Sequence, residues 1–123
     1  VDAVVDWFGP VDMAHMENCE TVKDGSSPEA ALIGGAPADL PDMVTLISPI
    51  TYVSKKCPRF LVFHGYADNV VPHCQGVFFS EKLKEAGCLE EFISVPNGQH
   101  GPVTFNETTF KKMTDFFKKE AKM

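Results

Sequence analysis

Arg59-Phe-Leu-Val-Phe-His-Gly-Tyr-Ala-Asp-Asn-Val-Val-Pro72 is the stretch whose reading decides the fold. Phe60 to Phe63 is a short run of aromatic and branched residues, the pattern of a buried strand that stops at His64-Gly65. Asp68 follows in a loop closed by Pro72. A second apolar run, Phe92 to Val95, leads into Pro96-Asn-Gly-Gln-His-Gly-Pro102, so His100 stands just past its end. An acid and a histidine thus follow the ends of two successive strands.

Working outward, residues 1–7 (Val-Asp-Ala-Val-Val-Asp-Trp) read as a first strand, and Phe8-Gly-Pro-Val-Asp12 as a turn broken by Gly9-Pro10. Residues 13–26 read as a polar surface loop. Ser27-Pro28-Glu29 starts a helix: Ser27 caps, Pro28 suits the first position and Glu29 the positive end of the dipole. Gly34-Gly35 stops it. A second short helix runs from Asp39-Leu-Pro-Asp42 to Ile47 and ends at Ser48-Pro49.

Residues 74–86 read as a helix with Val77, Phe78, Phe79 and Leu83 facing inward and Gly87 as its C-cap. Residues 90–95 form the next strand. Residues 106–119 form a final helix, capped by Asn106, with Phe110, Met113, Phe116 and Phe117 on one side. Strands alternating with helices predict an α/β fold of about three parallel strands, with flanking helices and right-handed crossovers.

A chain of 123 residues is one domain at most. It carries a net charge of −6 with only 11 Lys and Arg, and no basic stripe, which argues against nucleic acid and anionic membranes as partners. The late lysines, 111, 112, 118, 119 and 122, read as the solvated face and last turn of a helix. Cys19, Cys57, Cys74 and Cys88 form no C-x-x-C pair and no zinc-ligand spacing, so metal binding is not expected. They do not suggest a disulfide scaffold, although a single bond stays open. No transmembrane run or signal-peptide pattern stands out, and the compartment is undetermined.

In open parallel sheets, sites form beyond the carboxyl ends of the strands. Here the loops 8–12, 64–72 and 96–104 carry Asp12, Asp68 and His100. An imidazole takes and returns a proton near neutral pH, and a carboxylate on its other nitrogen fixes the tautomer and stabilises the imidazolium. Asp68 and His100 are therefore the candidate catalytic pair. Asp12 reads as a turn or cap residue, His64 as a support for the loop before Asp68, and His15 and His73 as surface residues without partners. Trp7 and Phe8 read as core, with a pocket lining as the alternative.

In its ordered pieces the chain resembles the α/β-hydrolases, and within them bacterial esterase/lipase-like members near the acetyl-xylan and feruloyl esterases. The pieces are Val4-Val-Asp-Trp-Phe-Gly-Pro-Val-Asp12, Ser27-Pro28-Glu29 to Gly34-Gly35, Ser48-Pro49-Ile50, Phe63-His-Gly-Tyr-Ala-Asp68 with Val71-Pro72 and Gln75, and Gly98-Gln-His-Gly101. The resemblance implies that Asp68 is the triad acid and His100 the triad base. The family order is Ser, acid, His, with the serine in G-x-S-x-G. No G-x-S-x-G occurs in these residues.

The chain thus reads as a single partial domain, 1–123, the C-terminal half of such a hydrolase without the nucleophile elbow, and inactive by itself. The intact enzyme is expected to be a serine carboxylesterase acting on a small acyl ester, an acylated sugar being one option, and to need no metal or organic cofactor. An oligopeptidase-type peptidase fragment and a non-catalytic interaction domain are the alternatives. The strand at 1–7 is expected to pair with another copy or with the absent half.

Overall fold

A computed structural model describes residues 1–16, 19 and 25–121. Its centre is a sheet of three parallel strands in sequence order: β1 (Ala3–Trp7), β2 (Arg59–Gly65) and β3 (Leu89–Val95). Ala3 to Trp7 lie opposite Arg59 to Phe63. β3 pairs Phe60 with Leu89 and, after an irregularity, Leu61 to Gly65 with Glu91 to Val95. All three strands point their carboxyl ends the same way. The loops after them therefore gather at one edge of the molecule, which is what positions the site.

The described residues also form four α-helices, α1 (Pro28–Ile33), α2 (Pro41–Ile47), α3 (Cys74–Ala86) and α4 (Glu107–Glu120), and three short 3-10 turns. The local signals at the ends of α1, α3 and α4 act as expected, whereas α2 starts at Pro41 after Leu40 with no side-chain cap, Asp39 belonging to the preceding 3-10 turn. Ser27 Oγ accepts from the Ala30 amide at 3.1 Å. Asn106 and Thr109 form a reciprocal capping box. Gly34 and Gly87 end α1 and α3 in the left-handed conformation that glycine adopts without strain.

β2 is buried on both faces, which explains its nearly unbroken apolar run. Alternate residues point to opposite sides. Val62 packs with Phe79 and Leu83 of α3, Val11 and Cys88, with Phe60 and Phe92 at the margin. Leu61 and Phe63 pack with Phe116 of α4, bordered by Val5, Trp7, Ile93 and Met113. Ion pairs from Lys112 to Glu91 and from Lys119 to Glu90 clip α4 to β3.

Both long helices sit differently from their apolar patterns. In α3 the buried residues are Gln75, Gly76, Phe79, Ser80 and Leu83, while Val77 and Phe78 are only half-buried. The helix is rotated because a glutamine and a glycine occupy inward positions, for reasons found at the site. In α4 the buried residues are Thr109 and Phe116, with Phe110 and Phe117 exposed at 46% and 40%. Phe110 instead packs on Trp7 and Phe105 at ring-centroid distances of 5.8 and 5.7 Å. β1 forms one edge of the sheet, with β2 on one side and no strand on the other among the described residues. No described helix is long and apolar enough to cross a membrane.

Candidate active site

The loops after β2 and β3 are locked to each other through their backbones. Tyr66 N donates to Val95 O at 3.1 Å, and Ala67 N donates to Gly98 O at 2.9 Å. A Cβ at Gly65 would fall 2.1 Å from the Gly98 oxygen, and one at Gly98 would fall 2.4 Å from Thr104 Oγ1. Neither place admits a side chain. This contact brings Asp68 and His100 together.

Asp68 folds back on its own loop, its Oδ1 accepting from the amides of Val70 and Val71 at 2.9 Å each. Its side chain is 0% exposed, and Oδ2 accepts from His100 Nδ1 at 2.9 Å. An ionised carboxylate only accepts, so Nδ1 carries the proton. Nε2 keeps a lone pair, on an imidazole 33% exposed, that can take a proton from a third group. The arrangement can orient an imidazole, stabilise its protonated form and shuttle a proton.

One aromatic ring, that of Phe8, closes one side of the imidazole. Phe8 is buried, with its ring centroid 4.4 Å from that of His100 and 5.2 Å from that of Phe105. Its backbone φ is 46°, a left-handed conformation uncommon outside glycine. Such local strain persists where surrounding contacts over-determine the position. Here the Phe8 amide donates to Phe63 O at 2.8 Å. Phe8 is therefore core and wall at once, while Trp7 stacks on Phe63 at 4.2 Å.

The other histidines and acids fall into place around this pair. His64 is fully buried, and its Nε2 lies 2.8 Å from the Val71 carbonyl, beneath the Asp68 loop. Burial holds its pKa below the ordinary histidine value, with the Val71 bond and Asp68 opposing. Asp12 joins neither Asp68 nor His100: it accepts from the Ala14 amide at 3.2 Å and pairs with His15 Nδ1 at 2.8 Å. His15 thus has a partner, contrary to expectation. So has His73, whose Nε2 is 2.8 Å from Ser94 Oγ and whose ring lies between Tyr66 and Phe92. Burial and then the neighbouring His64 push its pKa down. Ser94 comes from β3, a pairing that exists only in the folded chain.

Gln75 is the polar residue whose role the sequence hid. It is fully buried, and its Oε1 accepts from the amides of Val11 and Asp12 at 2.9 and 2.7 Å. Its Nε2 donates to the carbonyls of Asp12 and His15 at 3.0 and 2.9 Å. All four capacities of the amide are used, which accounts for a glutamine on the inward face of α3. A disulfide joins Cys19 to the adjacent Cys74 across a Cα separation of 6.0 Å. Ser48 Oγ adds a bond from the Met13 amide at 2.9 Å. The segment after β1, which carries the Phe8 wall, is thereby fastened to the start of α3. A glutamine at an inward helical position beside a cysteine was the available signal.

Asp6, near the end of β1, accepts from the Gly9 amide at 2.9 Å through Oδ1, while Oδ2 is buried with no hydrogen-bond partner among the described residues. Burial pushes its pKa up to about 6, and the Gly9 bond opposes this. Among the described residues, no group of three or more His, Cys, Asp or Glu is placed to hold a metal ion.

Comparison with known proteins adds a family context. The BD-FAE family profile matches residues 1–83. Among solved structures, a bifunctional GH43-CE from Bacteroides eggerthii is 68% identical with a TM-score of 0.94, over 98% of this chain and 16% of that one. A truncated form of carbohydrate esterase from gut microbiota is 56% identical with a TM-score of 0.95, over 100% of this chain and 44% of that one. Esterase LipQ of Mycobacterium tuberculosis (strain ATCC 25618 / H37Rv) is 31% identical over 101 residues, which are 81% of this chain and 24% of LipQ. The chain therefore spans less than half the length of each of these relatives.

Proposed function

This chain belongs to the BD-FAE esterase family of α/β-hydrolases, and from that premise we propose that Asp68 and His100 are the acid and the base of a serine esterase acting on acylated sugars. The observation that carries the reading is the 2.9 Å bond from His100 Nδ1 to the buried Asp68 carboxylate, beyond the carboxyl ends of two adjacent parallel strands. In this mechanism His100 Nε2 takes the proton of an attacking serine hydroxyl and passes it to the leaving alcohol. Asp68 holds the ring in the Nδ1–H tautomer and stabilises the imidazolium. Water then releases the acyl group by the same exchange in reverse. The Phe8 ring forms the wall beside the imidazole.

The serine would come from polypeptide upstream of residue 1, since no G-x-S-x-G occurs in these 123 residues. We read residues 1–123 as the acid- and histidine-bearing part of a larger catalytic domain. The sugar as alcohol component is supported by the carbohydrate esterase among the similar structures. The same relative and LipQ support an esterase over the peptidase alternative. The open edge of β1 supports pairing with another strand, from the upstream part or from a second copy. Beside it lies an apolar cleft of about 410 Å³, lined by Val4, Val5, Pro49, Val53 and Phe60 among others. A monodisperse monomer in analytical ultracentrifugation at high concentration would count against self-pairing.

The central test is hydrolysis of p-nitrophenyl acetate and of an acetylated xylo-oligosaccharide by the full-length polypeptide. His100→Ala and Asp68→Asn are each expected to lower kcat by roughly 10⁴-fold or more, as loss of a triad member does in serine hydrolases generally. Turnover that survives either substitution removes that residue from the relay. The 123-residue chain alone is expected to give background rates. Clear turnover from it would show that the nucleophile lies within residues 1–123.

A further inference from the structure

The Asp68 carboxylate faces more donors than its loop and His100 supply. Oδ1 takes the amides of Val70 and Val71, and Oδ2 takes His100 Nδ1. The Nε2 of His64 stands 3.5 Å from that same Oδ2, and both side chains are 0% exposed. The Val71 carbonyl, 2.8 Å from His64 Nε2, can only accept, so Nε2 carries a proton. The neutral ring then holds its lone pair at Nδ1, which is buried with no hydrogen-bond partner among the described residues.

An unpaired nitrogen in the core costs free energy that an apolar side chain of similar size would avoid. What that apolar residue would lack is the N–H at Nε2. The ring is also clamped from behind. A Cβ at Gly76 of α3 would come 2.9 Å from His64 Cβ, 3.0 Å from its Nδ1 and 3.0 Å from Phe92 Cε1. A glycine there lets the helix close on the imidazole, so its N–H has one direction to point.

We propose that His64 is a positioning residue for the Asp68–His100 pair: its Nε2–H holds the Val71 carbonyl at 2.8 Å, and with it the loop whose amides bind Asp68, so that Oδ2, 3.5 Å from Nε2, stays aimed at His100 Nδ1. Kept neutral by burial, His64 offers Asp68 a dipole and no rival full charge. The groups facing Asp68 are thus two amides, His100 and this N–H, with His73 one ring further out, 5.8 Å from His64. The inference rests on the catalytic reading of Asp68 and His100.

The test uses His64→Phe, which keeps the ring volume without the donor, and His64→Gln, whose Nε2–H restores it. In the full-length polypeptide, the Phe variant is expected to lower kcat for an acyl ester by about 10- to 100-fold, the range for leaving a buried acceptor, here the Val71 carbonyl, without its donor. KM is expected to stay within about twofold. The Gln variant is expected to recover most of the rate. In proton NMR of the 123-residue chain, the downfield resonance of His100 Nδ1–H should broaden in the Phe variant and sharpen again in the Gln variant. Wild-type kcat and an unchanged resonance in the Phe variant would overturn the proposal. A rate loss that Gln fails to restore would also overturn it, since it marks a purely structural role. If instead Asp68→Asn and His100→Ala leave turnover intact, the catalytic reading fails, while the NMR comparison still reports whether His64 sets the pair's geometry.

Discussion

Gly65→Ala attacks the contact on which the site depends. The added methyl carbon would sit 2.1 Å from the Gly98 oxygen, 2.3 Å from its carbonyl carbon and 2.8 Å from its Cα. Real Cβ atoms essentially never approach a neighbour closer than 3.0 Å, so the loops after β2 and β3 must part by at least 0.9 Å. The obstacle is backbone on both sides, and no side chain can swing away to relieve it. Separation of that size stretches the Ala67–Gly98 bond from 2.9 Å past hydrogen-bonding range. It draws the Asp68–His100 pair, also at 2.9 Å, apart by a similar amount.

Overpacking of a close contact costs about 1–3 kcal/mol. A misplacement near 1 Å in a catalytic group costs roughly 10²-fold in rate. The expectation is therefore a loss of about 2–3 kcal/mol in urea denaturation of the 123-residue chain, with loss of the His100 Nδ1–H resonance. Under the proposed function, kcat of the full-length polypeptide should fall about 100-fold. A Gly65→Ala protein of wild-type stability with the His100 resonance unmoved would refute the claim that this backbone contact assembles the pair.

Three further outcomes follow from other parts of the structure. Gln75→Leu keeps the volume but strands the amides of Val11 and Asp12, so it should cost about 2–4 kcal/mol in urea denaturation; a loss below about 1 kcal/mol would contradict the clasp. Cys74→Ser opens a disulfide spanning 55 positions, worth about 4 kcal/mol by loop-closure entropy, and reduced wild type should melt like the variant. Equal stability of oxidised and reduced wild type would contradict this. Asp6 has a folded pKa of about 6 against an ordinary 3.8, so the native state holds a proton that the unfolded chain has released. Its contribution is present below the ordinary value and lost as pH rises through about 6. Asp6→Asn, which keeps the acceptor for Gly9, should therefore raise the Tm above wild type more at pH 7.5 than at pH 4, and a gap independent of pH would remove Asp6 from that role.

Local signals read well from the chain. The Ser27 and Asn106 caps, the Gly34 and Gly87 stops and the apolar run of β2 each depend on residues within a few positions of one another. That is why the element order and the parallel α/β arrangement were legible. The inward faces of α3 and α4 were read less well. Apolar periodicity assigns Val77 and Phe78 to the core, but the helix turns to seat Gln75 against loop amides and Gly76 against His64. Phe110 is drawn to Trp7 and Phe105 across space, which no helical pattern encodes.

The sequence by itself determined that an acid and a histidine follow two successive strands, because strand ends and loop breakers are short-range features. Their meeting at 2.9 Å was decided only in three dimensions. Two glycine backbones, Gly65 and Gly98, touch there across a chain separation that no local pattern spans. The same holds for His73 with Ser94, read as an unpaired histidine, and for Cys19 with Cys74; His15, also read as unpaired, meets Asp12 only three positions away, through a turn whose side-chain directions the sequence did not show. A residue type states what a group can donate or accept. Which partner it meets depends on how the sheet twists and where the helices close on it, and those are set by the packing of the whole chain.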